Sequence, residues 1–179
     1  MIKKGKTKGP DENNSADQFK ILMEMAEENG FDQYEISNFC RNEKYSKHNS
    51  SYWNGAHYIG FGPSAHSFNG ISRQWNISNN NTYCKDLISG TPTFVKENLS
   101  EKELYNEYIM TSLRTKWGVN SDYILEKFGI AFENYFMNRI NSHLTSNNLV
   151  KNDQVYTLTI EGKFFADQIA ADLFYIDSI

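Results

Sequence analysis

Three blocks within residues 34–68 decide how this chain is read: Tyr34-Glu35-Ile36-Ser37-Asn38-Phe39, His48-Asn49-Ser50-Ser51-Tyr52-Trp53 and Gly60-Phe61-Gly62-Pro63-Ser64-Ala65-His66-Ser67. The first lies in an extended segment, Phe31 to Ser37, with Tyr34 and Ile36 on one face and Glu35 on the other. Residues 40–50 are polar and irregular and predict a loop. Tyr58 to Gly62 reads as a short buried strand running into a glycine turn, and Pro63 blocks a continuing ladder. Asn69-Gly70 then predicts a hairpin over 67–78.

On the N-terminal side, residues 1–13 read as a loop whose Lys3, Lys4, Lys6 and Lys8 make a solvated basic tip. Ser15-Ala16-Asp17-Gln18 has capping-box spacing and predicts a helix start, with Phe19, Leu22, Met23 and Ala26 as the apolar face. Gly30 is placed to end that helix. A helix, a glycine turn and a strand follow one another as in an α/β unit.

On the C-terminal side, a helix near 79–89 is ended by Gly90, and residues 91–99 are the expected domain boundary. Ser100-Glu101-Lys102-Glu103 is a second capping box, followed by the stripe Leu104, Tyr105, Tyr108, Ile109 and Leu113, with Gly118 as the stop. Helices are predicted near 121–128 and 131–147, the latter presenting Phe132, Phe136, Ile140 and Leu144. Val150 and Val155 flank a turn at Asn152-Asp153, and a last helix from about 161 carries Phe165, Ile169 and Leu173. Helix, helix, β-wing, helix is a winged-helix-like order.

Composition narrows the classes. Hydrophobic residues make up 39% and aromatics 15% of 179 residues, enough apolar surface for a real core. No apolar run approaches the ~18 residues that span a bilayer. No apolar stretch follows the basic N-terminus as in a signal peptide, so the expected location is cytoplasmic. Residues 118–179 hold four basic groups (Lys127, Arg139, Lys151, Lys163) against eight acidic ones, which repels phosphate and disfavours a nucleic-acid partner. Cys40 and Cys84 form no Cys-x-x-Cys pair.

The residues admit two readings at each candidate site. His48 could ligate haem iron with Tyr52 and Trp53 as flat apolar surface, or His48 and Asn49 could tie a loop while Tyr52 and Trp53 pack inward. Gly60 and Gly62 allow a ligand, or simply another strand, to come close to the backbone. Glu35 reads first as a structural hydrogen-bonding group. His48, His57 and His66 recur every nine residues, a spacing that matches no common zinc arrangement. His143 is expected to be solvated or to cap its helix. No Walker motif, nucleophile elbow or HExxH occurs.

The three blocks, in this order, resemble the HemW (haem-chaperone) branch of the oxygen-independent coproporphyrinogen III oxidase family, and the middle block matches the HNxxYW pattern of that branch. The resemblance covers nearly the whole chain. It implies an α+β fold: terminal β/α elements of a partial radical-SAM barrel over 1–95, then a helical, winged-helix-like C-terminal domain over 96–179. It places Gly60, Phe61, Gly62 and His66 near S-adenosylmethionine (SAM) in the full-length protein, and offers His48, Tyr52 and Trp53 as haem-binding candidates, His48 as iron ligand. The family's [4Fe–4S] cluster needs a Cys-x3-Cys-x2-Cys loop, and two cysteines cannot supply three thiolates. The chain therefore reads as a C-terminal fragment with no catalytic residues and no cofactor of its own. Its expected partners are the missing barrel half and haem or a porphyrin, and its open strand edges invite self-association. A fragment of a true oxidase is the alternative, and a winged-helix nucleic-acid- or protein-binding module the alternative of another class.

Supplied with SAM and a reductant, this chain is expected to release no 5′-deoxyadenosine. Chromatographic detection of the nucleoside above a protein-free control would overturn that expectation.

Overall fold

Ser100 turns the chain into the helix that organises the structure. Its hydroxyl accepts from the Glu103 amide while the Glu103 carboxylate accepts from the Ser100 amide, so both free N–H groups are satisfied reciprocally. In the computed structural model, which describes residues 12–176, this helix is the fourth of eight. The order is α1 (Glu12–Glu28), β1 (Asp32–Glu35), β2 (Asn38–Cys40), α2 (Lys47–Trp53), β3 (His66–Phe68), β4 (Ser72–Asn76), α3 (Asn80–Ile88) and β5 (Phe94–Asn98). Then come α4 (Glu101–Leu113), β6 (Val119–Asn120), α5 (Ser121–Phe128), α6 (Ile130–Thr145), β7 (Leu149–Asn152), β8 (Val155–Leu158), α7 (Ile160–Lys163) and α8 (Ala166–Leu173). The fold is α+β. The residues of the expected basic tip, Lys3 to Lys8, lie outside the described residues.

The main core belongs to the second half. The stripe of α4 buries Tyr105, Ile109 and Leu113, with Leu104 and Tyr108 half-buried beside them. Phe132, Phe136 and Ile140 of α6 and Ile169 and Leu173 of α8 close on it. Each such aliphatic or aromatic side chain contributes roughly 1.5–3 kcal/mol on burial. The Tyr105 hydroxyl donates to the Leu173 carbonyl (3.2 Å), and burial pushes its pKa up. A three-stranded antiparallel sheet, order β6-β8-β7, covers one side, with Val119 opposite Tyr156 and Leu149 opposite Leu158. The turn at Asn152-Asp153 is where the sequence places it.

The first half carries two further antiparallel sheets, β1-β2 and β3-β4-β5. The Asn69-Gly70 hairpin forms between β3 and β4, and α3 is capped by Asn79 as the 79–89 reading requires. Elsewhere the structure corrects the sequence reading. The first helix begins by Glu12, so Ser15 lies inside it rather than at its cap, and Leu22 is half exposed. The strand after Gly30 does not enter an α/β unit: it turns back onto β2, because Ser37 and Asn38 fold over the Glu35 carboxylate. Residues 40–50 are not all loop, since Ser46 caps α2. Tyr58 to Gly62 makes a single bridge, Tyr58 to Phe68, and Phe61 is 81% exposed, so this is no buried strand. The expected linker contains β5, paired along β4. The final helix breaks between α7 and α8, which turns Phe165 to solvent.

Gly118 is fixed by both backbone and space. Its φ is +66°, and a Cβ there would lie 2.3 Å from the Tyr156 carbonyl oxygen, because the chain passes against β8 on entering β6. It does not itself stop α4, which ends at Leu113. Gly30 has a similar φ of +71° but open space around its Cα. Replacement of Gly30 by Ala is expected to cost the backbone term alone, roughly 1–3 kcal/mol. Gly118→Ala should cost distinctly more in urea denaturation, and equal losses at the two positions would refute the packing argument.

Candidate functional site

The site is built from β1, β2 and α2. In β1 both Tyr34 and Glu35 are buried, 2% and 5% exposed, so the strand is covered on both faces. One carboxylate oxygen of Glu35 accepts from the Ser37 amide (2.8 Å) and the Asn38 side-chain amide (2.6 Å). The other accepts from the Arg114 Nε (3.1 Å), with a second guanidinium nitrogen at 3.0 Å. Arg114 follows α4 directly and also reaches Asp167 of α8 (2.8 Å). The backbone repeats the link: the Ile36 amide donates to the Arg114 carbonyl (3.1 Å) and the Lys116 amide to the Tyr34 carbonyl (3.0 Å).

Helix α2 stands on this base. Asn38 passes the connection on, its Oδ1 accepting from the Asn49 side-chain amide at 2.8 Å. Four residues further along α2, one turn and thus on the same side, Trp53 meets the Tyr34 ring edge-on at 5.7 Å. The Tyr34 hydroxyl accepts from the Ser46 amide (3.1 Å) at the cap of α2. Tyr45 and Trp117 complete the aromatic layer around Tyr34, at 5.1 and 6.3 Å. Lys116 lies over Tyr45 (4.9 Å) and pairs with Asp32; that hydrogen bond first, then the Tyr45 hydroxyl, raises its pKa.

The other face of α2 carries His48 and Tyr52, also one turn apart. Their rings meet edge-on at 5.1 Å, both are exposed, and Tyr52 in turn contacts Tyr58 at 4.9 Å. The motif thus divides by helical period. Of the four residues that the structural reading would tie down or bury, Asn49 and Trp53 anchor the helix, while His48 and Tyr52 are exposed.

The Gly60–Ser67 turn is a separate place. A Cβ on Gly60 would lie 2.2 Å from the His66 carbonyl oxygen, so glycine is demanded by the passing β3 backbone. The Gly60 amide donates to the Ser67 hydroxyl and the Gly62 amide to the Tyr83 hydroxyl, both at 3.0 Å. Asn76 donates to the Gly62 carbonyl (3.0 Å). His66 stacks on Trp75 at 5.8 Å and borders a groove of about 440 Å³ with Phe94 and Val95. His48, His57 and His66 therefore have three different surroundings, His57 lying against Gly70. Of the two expectations for His143, the solvated one does not hold: it lies in the last turn of α6 with its side chain 12% exposed, 3.5 Å from Asp172.

Neither cysteine is disulfide-bonded, and burial followed by the Asp32 carboxylate pushes the Cys40 thiol pKa up, away from a metal-binding thiolate. The residues present do not fit a three-thiolate iron–sulfur site. Sequence reading missed Arg114 and Asn38; a lone arginine after a helix, 79 residues from its carboxylate, gives no local signal.

The architecture is that of coproporphyrinogen oxidase-like radical-SAM proteins. The chain superposes on the solved structure described as "Coproporphyrinogen III oxidase (HemN) from Escherichia coli is a Radical SAM enzyme" with a TM-score of 0.72 at 13% identity, over 92% of this chain and 42% of that one. Sequence narrows the class. The chain is 32% identical over 173 residues to "Heme chaperone HemW" of Bacillus subtilis, covering 94% of its own length and 45% of that protein's. A 66-residue stretch is 46% identical to "Radical S-adenosyl methionine domain-containing protein 1, mitochondrial" of Danio rerio, 37% of this chain and 15% of that protein. The chain belongs with the HemW-type proteins of the radical-SAM family, and it spans less than half the length of the relatives it matches. No family model matches it.

Arg114→Ala would leave the Glu35 carboxylate buried without its charge partner, at an expected cost of about 2–4 kcal/mol. Asp167 is 75% exposed on its side chain, so Asp167→Ala should cost less than about 1 kcal/mol. Chemical denaturation of the two variants checks this, and a larger loss at Asp167 would reverse the assignment.

Proposed function

We propose that the chain is the C-terminal part of a haem chaperone, in which the end of a partial (β/α) barrel over 1–95 leads into a winged-helix-like domain over 96–179, and that the exposed face of α2 contacts haem. The observation that carries this reading is the division of the HNxxYW helix. Asn49 and Trp53 are used up in holding it, while an imidazole and a phenol one turn apart stay accessible. His48 can give one ring nitrogen to iron, and Tyr52 offers a flat apolar flank with a polar tip. Trp53, the third candidate, also fixes the helix, through its edge-on contact with Tyr34.

In the same reading Gly60, Phe61, Gly62 and His66 lie near SAM in the complete protein. The exposed Phe61 ring and the His66–Trp75 stack are the groups that a neighbouring cofactor or barrel segment would meet. The cluster and SAM chemistry are supplied by the rest of the protein, which is also the partner for the exposed strand β5. The order helix, strand, helix, helix, strand, strand in α4 to β8 supports the winged-helix comparison. The acidic balance of that region argues against a nucleic-acid partner. Among the described residues no helix is long and apolar enough to cross a membrane, and a cytoplasmic site of action is part of the proposal. The chaperone reading is preferred to an oxidase because the close sequence relatives are named haem chaperones, whereas the oxidase likeness is one of fold.

Haemin titrated into the chain should give a shifted Soret band, and His48→Ala should weaken binding by about tenfold or more and alter the band, as loss of an axial ligand does. Identical spectra and affinities for the two proteins would remove His48 as ligand.

A further inference from the structure

Behind Tyr52 the two halves of the chain enclose a cleft of about 550 Å³. One wall is Tyr52, Tyr58 and Phe68; the opposite wall is Tyr108, Tyr123 and Phe128. The rings of each wall touch one another, Tyr58 to Phe68 at 6.1 Å and Tyr108 to Tyr123 at 4.6 Å, so both present continuous aromatic surface. The volume lies within the ~300–1,000 Å³ common for small-molecule sites. Asn54, His57, Thr111, Ser112 and Thr115 add neutral polar groups to the lining, whose charged side chains are Glu107 and Lys127. Glu107 is already paired with Arg73, and Lys127 of α5 has no ion-pair partner among the described residues. Aromatic walls and one uncompensated cation at the lining select a flat, apolar ring system that carries carboxylates. Tyr52 is common to this cleft and to the exposed α2 face, since His48 meets its ring on that face.

We propose that the cleft is the carboxylate-anchoring subsite for the tetrapyrrole: one edge of the macrocycle enters between the aromatic walls, and a peripheral carboxylate pairs with Lys127. This rests on the haem reading of α2 and adds a place and a cation that the HNxxYW motif does not contain. It also gives the interface between the two halves a function, because neither half supplies both walls. Binding through this subsite does not depend on iron.

The test uses metal-free protoporphyrin and its dimethyl ester, in which the carboxylates are masked. Trp53 and Trp117 line the cleft and Trp75 does not, so quenching of tryptophan fluorescence reports occupancy. Protoporphyrin should quench the parent chain and bind Lys127→Ala about tenfold more weakly. The ester should bind weakly to both and show no difference between them. Lys85→Ala, on α3 outside the cleft, controls for net charge, and Thr111→Trp, which fills the cleft, should abolish quenching. Lys127 is exposed, so its variant keeps the fold even if Thr111→Trp does not. If haemin binding falls in His48→Ala while Lys127→Ala binds protoporphyrin as tightly as the parent, the cleft is refuted and the haem reading stands. If neither haemin nor protoporphyrin binds the parent chain, both are refuted.

Discussion

The contact between Glu35 and Arg114 is the constraint on which the rest of the site depends. A carboxylate 5% exposed carries a large desolvation cost unless charge and hydrogen bonds compensate it. Glu35 is compensated completely: two donors from its own hairpin on one oxygen, the guanidinium on the other. The hairpin donors come from Ser37 and Asn38, so satisfying the charge also forces the turn between β1 and β2. The guanidinium comes from the residue after α4, so the same charge fixes the first half of the chain to the second. A turn, a strand position and an interface between halves follow from one buried group.

From that fixed point the order of dependence runs outward. Asn38 is held by Glu35 and holds Asn49; Asn49 and Trp53 hold α2; α2 then presents His48 and Tyr52. On the second half, Arg114 sets the direction in which the chain leaves α4, and Trp117 and Gly118 follow within four residues. Gly118 presses against the Tyr156 carbonyl, and Trp117 closes on Tyr34 and Tyr45. The cleft lies between these two outward runs. Its width is therefore set by a chain of contacts that begins at a carboxylate lining neither wall. Asp167, though it touches the same guanidinium, is exposed and adds little, because water competes for its charge.

What could be read from the sequence was decided within one turn of helix or one hairpin, although not every such signal held: Ser15 lies inside α1, and the Glu35–Asn38 turn was not foreseen. The box at Ser100 and Glu103, the hairpin at Asn69-Gly70 and the stripe of α4 all form as read, because the groups that decide them are three or four residues apart. The segment from Tyr58 to Gly62 was misread for the opposite reason. Its apolar residues suggest burial, yet the passing β3 backbone leaves room only for glycine at position 60 and turns Phe61 outward. Phe165 was assigned to the last helix by its spacing, but the break after α7 moves it out of phase. Glu35 was recognised as a hydrogen-bonding group, whereas its partner, 79 residues away, carried no local pattern. The HNxxYW block could not be divided by face from the sequence, since its periodicity becomes visible only once Ser46 is known to start a helix in a polar stretch.

Under the proposed haem reading, the division of α2 bears on how a haem carrier differs from a haem enzyme. A histidine that must hold iron permanently is normally oriented by a hydrogen bond to its second ring nitrogen, which fixes its tautomer and strengthens the bond. No side chain or carbonyl among the described residues plays that part for His48; its neighbour is the edge of Tyr52, an apolar contact. In that reading, an imidazole on an exposed helix face with no fixed second nitrogen would make a ligand that is easily reached and easily released. The helix beneath it is, by contrast, tied through Asn49 and Trp53 to the most constrained charge in the molecule. The proposed function thus asks for a rigid platform under a loosely held ligand, because the platform would keep the ligand in place while a weak bond would let a cargo leave.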